Sequence, residues 1–421
     1  MTARAHPVSR RWFIGAGAAI AGFGLPPGAT AQPAADGFRL LRARVLPSTG
    51  LGNTGNPGLG YDGIAPGPTL RVRRGDELRV RLVNDLPAPT SVHWHGIRLP
   101  NAMDGVPQLT QPAAAPGASF DYRFRPPDAG TFWYHAYIAG QTERGLAGAF
   151  IVEDTQPVDV DRDIALLLTA PAAADGPPVL VNGSVRPDIA VKTGERLRLR
   201  IVNAATARGV FVRLDGHAVR VMAIDGQPAE PFLARDSRVG LGPGNRIDLF
   251  IDTLGDAGAM APLLAAPLTD AKAERPIARL VYERGDAARV GRRSEPLPLP
   301  PNPLPARIDL RTSLKAELML ANARVFDPAG PPLFTVKRGR AVTLAIRNSS
   351  SHPHVMHLHG HSFRMLDRLD DGWKPFWMDT LVVGDPIERI AFVADNPGKW
   401  LIECTALERQ DSGAAVWFAV N

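Results

Sequence analysis

Apolar residues occupy every second position in three similar segments of the chain, 72–84, 191–203 and 336–348. Each segment begins with a turn that contains a basic residue and a glycine. A period of two predicts a β-strand with one buried face. The segments lie more than about 100 residues apart, whereas solenoid repeats are about 20–50 residues long. The pattern therefore predicts three similar β domains in tandem.

Proline-rich stretches separate the predicted domains. Residues 154–157 close the first domain, and a run of five prolines within 297–305 precedes the third. Proline at this density excludes a central strand or a helix. Short alternating strands between glycine- and proline-containing turns indicate β-sandwiches. We predict an all-β protein with domains at 37–155, 158–286 and 306–421.

The composition agrees with a folded protein that has many turns. Hydrophobic residues make up 45% and charged residues 21% of the 421 residues, which is ordinary for a globular chain. The 40 prolines and 41 glycines favour the all-β class over a helical one. No apolar run reaches the roughly 18–20 residues that a membrane helix needs, so we expect no transmembrane segment.

The first 31 residues have the pattern of an export signal. Residues 9–14 (SRRWFI) contain a twin-arginine pair, a short apolar stretch follows as far as Leu25, and 29–31 (ATA) match a small-residue cleavage site. We expect residues 1–31 to direct the protein to the periplasm by the twin-arginine route. The alternative is a chance arginine pair on an unstructured tail.

The charge balance gives no reason to expect a nucleic-acid partner. The formal net charge is +6, and removal of Arg4, Arg10 and Arg11 with the signal leaves 45 basic against 42 acidic residues, about +3. Cys404 is the single cysteine and cannot form a disulfide within the chain. A metal ligand, a buried apolar residue and a stray thiol all remain open for it.

Two His-x-His pairs lie near opposite ends of the chain, at His93 and His95 and at His357 and His359. Side chains at positions i and i+2 of a strand point to the same face, so each pair directs two imidazoles at one point. Imidazole suits copper, zinc and iron, and copper(II) binds most tightly among the divalent ions. The second domain has only His217 at the comparable place, which we interpret as structural. The pattern predicts a metal site between the first and third domains.

Five stretches of the chain together resemble the multicopper oxidases, the family of laccases and cuprous oxidases. They are 91–96 (SVHWHG), 103–107 (MDGVP), 130–135 (GTFWYH), 356–363 (MHLHGHSF) and 396–400 (NPGKW). The resemblance covers nearly the whole chain after the signal and implies three tandem cupredoxin-like Greek-key β-sandwich domains. In that family a blue copper takes electrons from the substrate and passes them to a three-copper cluster, where dioxygen becomes water.

The resemblance implies that the chain retains five of the family's eight cluster histidines: His93, His95, His135, His357 and His359. Other residue types stand at the remaining three cluster positions: Tyr137, Glu403 and Thr405. The acid that the family places near the cluster for protons corresponds to Asp104, a candidate proton relay.

The blue-copper site is also incomplete by this resemblance. His354 and Cys404 match two of its ligands, although Val355 stands where the family usually has a proline. Arg409 falls at the second histidine and Ala414 at the axial methionine. An arginine is a fixed positive charge that repels a copper ion, so the resemblance implies that electrons are not accepted here in the usual way.

Three functions follow as hypotheses. The first is a periplasmic copper-binding protein that holds fewer than four copper ions and has little laccase-type activity. The second is a metal-free scaffold with a cell-envelope protein partner, similar to the twin-arginine-exported cell-division member of the family. The third is a copper oxidase with altered ligation through Tyr137 and Glu403. The sequence does not specify a small-molecule or metal-ion substrate.

Overall fold

The computed structural model describes residues 36–47, 58–170, 179–289, 291, 293–320, 326–350, 352–366, 376–384, 386–407 and 413–421. The expected export segment and Arg409 lie outside these ranges. Strands dominate the described residues, and the two helices found among them are single 3-10 turns, Asn101–Met103 and Arg235–Ser237. Neither is long and apolar enough to cross a bilayer. The predicted all-β class is confirmed.

The first domain is a sandwich of two four-stranded sheets. Its strands are β1 (Arg39–Val45), β2 (Leu59–Tyr61), β3 (Leu70–Arg73), β4 (Leu78–Asn84), β5 (Val92–His95), β6 (Ser119–Phe124), β7 (Gly130–Ala136) and β8 (Ala147–Glu153). The strand orders are β2-β1-β4-β6 and β3-β8-β7-β5. Aromatic side chains fill the space between the sheets: Trp94, Tyr122, Phe124, Tyr134 and Phe150.

The second domain is built in the same way from larger sheets. Its strands are β9 (Arg162–Thr169), β10 (Leu180–Val181), β11 (Asp188–Val191), β12 (Arg196–Asn203), β13 (Val210–Leu214), β14 (Arg220–Ile224), β15 (Gln227–Leu233), β16 (Arg238–Leu241), β17 (Arg246–Asp252), β18 (Met260–Pro267) and β19 (Arg275–Tyr282). The orders are β10-β9-β12-β17-β14-β15 and β11-β19-β18-β13-β16. Aliphatic residues rather than aromatic ones make up most of its core.

The third domain closes the chain with sheets of four and five strands. Its strands are β20 (Leu314–Leu320), β21 (Thr335–Val336), β22 (Ala341–Asn348), β23 (His354–Leu358), β24 (Arg364–Met365), β25 (Thr380–Val383), β26 (Ile387–Val393), β27 (Gly398–Ala406) and β28 (Gly413–Val420). The orders are β20-β22-β26-β24 and β21-β28-β27-β23-β25.

The same strand pairing recurs in all three domains. The first strand of each domain pairs in parallel with the strand of the repeated segment: β1 with β4, β9 with β12 and β20 with β22. The last strand of each domain pairs in parallel with the short strand before that segment: β8 with β3, β19 with β11 and β28 with β21. The three tandem cupredoxin-like sandwiches expected from the sequence are therefore present.

The alternation predicts one solvent-facing side for each repeated strand, and this is wrong for β12. Its residues are buried on both faces, including Arg196, Arg198 and Arg200. Carboxylates neutralise these arginines: Arg198 donates to Asp248, and Arg200 donates to Asp163. The charged face of β12 is thus an interface within the protein, because Arg200 also donates to Thr131 of the first domain.

The proline-rich linker between the second and third domains is held in place by Asn302. Its side-chain nitrogen donates to the carbonyl oxygen of Ala129 at 2.8 Å, and its side-chain oxygen accepts from the amide of Ala129 at 2.9 Å. The same side-chain nitrogen donates to Gln227 of the second domain. The linker therefore fixes the first domain against the second as well as joining the second to the third.

Candidate metal centre

Two short strands from opposite ends of the chain carry the candidate ligands. In the first domain β5 pairs with β7, which places His93 opposite His135. In the third domain β23 pairs with β27, which places His357 opposite Glu403. The extended backbone directs the i and i+2 side chains of β5 to one face, as the His-x-His spacing predicts.

The two His-x-His pairs meet at the boundary between the first and third domains. Nε2 of His93 lies 3.4 Å from Nε2 of His357. The rings of His95 and His357 stack with their centroids 3.6 Å apart, and those of His93 and His359 are 4.0 Å apart. All four side chains are buried. The predicted convergence of the two pairs is confirmed.

The hydrogen bonds of three histidines leave a ring nitrogen free for a metal. Nδ1 of His93, His135 and His357 lies 2.8–3.0 Å from the backbone carbonyl oxygens of Asp104, Ala136 and Asp379, respectively. A carbonyl oxygen only accepts, so Nδ1 carries the proton in each ring and Nε2 offers its lone pair.

The facing Nε2 atoms of His93 and His357 form the core of the site. In this tautomer neither atom has a proton to donate to the other, so two lone pairs face each other in a buried space. Two nitrogens held at about 2.0 Å by one ion are at most about 4 Å apart, and the observed separation falls within that limit. A cation held by His93 and His357 would satisfy both atoms.

Two sets of three side chains have ligand atoms within 4.8 Å of one another among the described residues. One is His93, His95 and His357, and the other is His93, Asp104 and His359. Nε2 of His135 and of His359 and Nδ1 of His95 are also buried without a hydrogen-bond partner in that part of the chain. Buried polar atoms without a partner are uncommon in folded proteins. The donor set therefore fits a metal ion.

Burial keeps several of the rings in the form that binds metal. It lowers the pKa of His135 to about 3 and lowers the pKa of His95 and of His357, and neighbouring histidines lower the pKa of His95 further. Asp379 opposes the effect of burial at His357. Metal ligation needs the neutral imidazole, which these shifts favour.

Asp379 and Thr380 orient the histidines from behind. The hydroxyl oxygen of Thr380 lies 3.1 Å from Nδ1 of His357 and 3.0 Å from Nε2 of His95. Partners of this kind hold the orientation of a metal-binding ring. Sequence reasoning missed both residues, because no motif or spacing ties Asp379 and Thr380 to the histidines.

Asp104, the candidate proton relay, contacts two histidines. Its Oδ1 lies 3.3 Å from Nδ1 of His93, and its Oδ2 lies 3.0 Å from Nδ1 of His359. Burial alone would lower the pKa of His359, but the charges of Asp104 and Glu403 outweigh it and raise that pKa to about 10. The two carboxylates thus favour the protonated form of His359 in the protein without metal.

Tyr137 and Glu403, for which the resemblance suggests altered ligation, contact each other. The phenol of Tyr137 donates to Oε2 of Glu403 at 3.1 Å, and Oε1 of Glu403 lies 3.7 Å from Nε2 of His359. Two oxygen-bearing side chains thus lie beside the histidine cluster.

The candidate blue-copper residues lie apart from these ligand sets. Nδ1 of His354 lies 3.1 Å from the carbonyl oxygen of His352. Cys404 is 2% exposed within the core of the third domain, and burial together with Glu403 raises the pKa of its thiol. Ala414 of β28 pairs with Cys404 of β27, and its side chain offers no ligand atom. Neither His354 nor Cys404 belongs to a close set of three ligands among the described residues.

Two other histidines have structural contacts. Nε2 of His217 lies 2.6 Å from the hydroxyl of Tyr282 in the second domain. His361 is buried against Phe392, Trp400 and Phe418 in the core of the third domain. The position of His217 agrees with its interpretation as structural.

Comparisons with known proteins point to one family along the length of the chain. Three family models, each described as multicopper oxidase, match residues 45–157, 131–259 and 299–421. The multicopper oxidase MmcO of Mycobacterium tuberculosis is 29% identical over 97% of this chain and 95% of its own length.

Solved structures give the same result. A multicopper oxidase from Pseudomonas thermotolerans superposes with a TM-score of 0.78 and 32% identity, over 91% of this chain and 98% of that one. Lac15 from a marine microbial metagenome has a TM-score of 0.77 and 32% identity, over 90% and 99% of the two chains. This chain therefore belongs to the multicopper oxidase family, which implies copper as its cofactor.

Proposed function

We propose that this protein binds copper at the cluster of His93, His95, His135, His357 and His359, holds fewer than four ions and does not carry out ordinary laccase-type oxidation. The approach of Nε2 of His93 to Nε2 of His357, at 3.4 Å across the boundary of two domains, carries the proposal. Copper, when bound, supplies one-electron redox chemistry. The chain supplies buried, oriented imidazoles, and burial favours the neutral form of His95, His135 and His357.

The lower number of ions follows from the residues that replace histidines. Tyr137, Glu403 and Thr405 offer only oxygen atoms at three cluster positions. Carboxylate oxygen is a harder ligand than imidazole and suits magnesium, calcium or manganese better than copper. The remaining five imidazoles are enough for one or two ions.

The blue-copper site is proposed to be inactive. Among the described residues, no close set of three possible metal ligands includes His354 or Cys404. The neighbour of Cys404 across the sheet is Ala414 rather than a methionine. Without this copper, electrons from an external donor have no usual route to the cluster.

Copper titration of the purified protein tests the proposal. We expect at most two tightly bound ions by elemental analysis and no intense absorption near 600 nm. Four bound ions together with rapid oxygen uptake in the presence of a phenol or cuprous ion would overturn it. Zero bound copper would favour the metal-free scaffold.

A copper oxidase with altered ligation is the second candidate. The hydrogen bond from Tyr137 to Glu403, and the 3.7 Å between Glu403 and His359, place both oxygen groups at the cluster. Oxygen-dependent turnover that is lost in Glu403→Ala and retained in Glu295→Ala, a change at an exposed carboxylate, would support this candidate.

We propose a periplasmic location by the twin-arginine route, supported by the pattern of residues 9–14 and 29–31. Replacing Arg10 and Arg11 together by lysine should retain the protein in the cytoplasm on cell fractionation. Unchanged export of that variant would contradict the proposal.

The domain limits 37–155, 158–286 and 306–421 are part of the same proposal. Every sheet among the described residues draws its strands from within one of these ranges. Limited proteolysis should cut first at exposed positions outside them.

A further inference from the structure

A cavity of about 300 Å³ lies beside the histidine cluster and is lined by all three domains. The loop after β7 forms one wall with Tyr137 and Glu143, and β27 forms another with Glu403 and Thr405. The second domain contributes Pro243. The three positions at which the family pattern expects histidines and this chain has other residues all line this one space.

The cavity connects the surface to the cluster. Ala139 and Gly140 at its rim are exposed, whereas His95, His135 and His357 at its inner end are buried. His135 is 9% exposed, and its Nε2, which is itself buried, has no hydrogen-bond partner among the described residues. A molecule that enters from the rim therefore approaches the histidine cluster.

The charge of the lining selects the class of ligand. Two carboxylates, Glu143 and Glu403, line the cavity, and no lysine or arginine does so among the described residues. Oε2 of Glu143 is buried and has no hydrogen-bond partner in that part of the chain. An anion would be repelled here, and a cation would satisfy the unpaired carboxylate oxygen.

The size of the cavity and its apolar walls favour an organic cation over a bare metal ion as the ligand. Trp133, Ile138, Pro243 and Val355 present carbon surface to the cavity. A metal ion needs only a few polar atoms at short range, whereas about 300 Å³ is the lower end of the volume of small-molecule pockets. The apolar walls suit a carbon body attached to the charged group.

We propose that this cavity binds a small organic cation, a protonated amine with an apolar body, with its ammonium group at Glu143 and Glu403 and its body against Trp133 and Val355. The inference deepens the proposed function and rests on it for the copper that the bound amine would approach. An amine bound in this cavity would lie beside the histidine cluster, and its approach to the cluster would not involve the blue-copper site.

Three probes of similar shape and different charge test this proposal on the full chain: benzylamine, which is protonated at neutral pH, benzyl alcohol and benzoate. Calorimetry should show benzylamine binding at least about tenfold more tightly than benzyl alcohol, and benzoate binding least. Equal affinities, tightest binding of benzoate or no binding of any probe would overturn the proposal.

Variants locate the binding. Glu143→Gln and Glu403→Gln preserve the shape of the cavity and should each weaken benzylamine binding about tenfold, with no effect on benzyl alcohol. Asp309→Asn removes an exposed carboxylate elsewhere and should change neither. Binding that is unchanged in both glutamine variants would place the amine outside the cavity and refute the assignment.

The metal-free and copper-loaded proteins are measured side by side. Charge-dependent binding in the metal-free protein, with no uptake of copper, would refute the copper proposal and leave the amine site. Copper uptake without charge-dependent binding of benzylamine would refute the amine site and leave the copper proposal. The two inferences can thus fail separately.

Discussion

The guanidinium of Arg246 donates a hydrogen bond to each carboxylate oxygen of Asp379, one of them at 2.7 Å, and both side chains are buried. Arg246 belongs to the second domain and Asp379 to the third. Nε of Arg246 also donates to the carbonyl oxygen of Thr131 in the first domain. Because Asp379 contacts Nδ1 of His357, a domain that supplies no proposed ligand supports the geometry of the metal site.

Arg246→Met should destabilise the protein strongly. The change leaves the carboxylates of Asp379 and Asp225 buried without their cation, and breaking a buried pair in this way costs about 3–5 kcal/mol. Urea unfolding measures the loss. Arg311→Met is the matched control, because the Arg311 side chain is 88% exposed and pairs with Asp309 at the surface. Similar stabilities of the two variants would contradict the structural role of Arg246.

His93→Ala and His357→Ala should each abolish tight copper binding. Each change removes one of the two facing Nε2 atoms, and the partner atom alone cannot hold the ion between them. Elemental analysis after dialysis gives the number of ions. His217→Ala should leave that number unchanged, because His217 contacts Tyr282 in the second domain. A cell-envelope phenotype that persists in both cluster variants would support the metal-free scaffold.

Thr380→Val should weaken copper binding without changing the number of ions. The hydroxyl of Thr380 contacts both His357 and His95, and loss of such a supporting contact typically costs about 10–100-fold in metal affinity. Competition with a chelator of known affinity measures the change. Thr343→Val removes a hydroxyl that donates to Ser313 in the same domain and serves as the control. Equal copper affinities of the two variants would show that the hydroxyl of Thr380 does not support the metal site.

Cys404 should behave as a core residue. A thiol reagent should label it slowly in the folded protein and rapidly in urea, because the side chain is buried and its thiol has a raised pKa. Cys404→Ala should lower stability by about 1–2 kcal/mol through the cavity that it leaves. The copper content should not change, and a lower content would show that Cys404 is a ligand.

The stabilising effect of Glu274 should disappear in acid. Hydrogen bonds from Arg213 and Arg238 lower the pKa of this carboxyl from its ordinary value of 4.5 to about 2. A pKa that is lower in the folded state stabilises the protein above pH 4.5, and this contribution is lost as the pH falls towards 2. Glu274→Gln should cost on the order of 1 kcal/mol at pH 7, since the group is partly exposed. Unfolding curves of both proteins from pH 7 to pH 2.5 should converge, and a constant difference would contradict the assignment.

Much of the architecture was predictable from local patterns. Leu78, Val80 and Leu82 are buried on one face of β4, as their alternation indicates. The same reasoning failed at Arg196, Arg198 and Arg200, whose charges indicated a solvent-facing side. Their burial depends on carboxylates of other strands and on the packing of a neighbouring domain, and the spacing within β12 contains neither.

The site was predictable only in part for a similar reason. The His-x-His spacing indicated which face of each strand carries imidazoles, and the resemblance indicated that Asp104 lies near them. The cavity at Glu143 and the support from Asp379 and Thr380 had no counterpart in any motif. No spacing pattern in the sequence distinguishes these residues, and they acquire a role only through their neighbours in the folded protein.

By itself, the sequence determined the strand pattern, the threefold repeat and the identity of the candidate ligands, because these depend on residue type and short-range spacing. The tertiary structure decided that His93 faces His357, that Arg246 links three domains through Asp379, and that Glu143 and Glu403 share one cavity. These contacts join residues that are far apart in the chain. Their distances are set by the packing of whole domains, which no local period encodes.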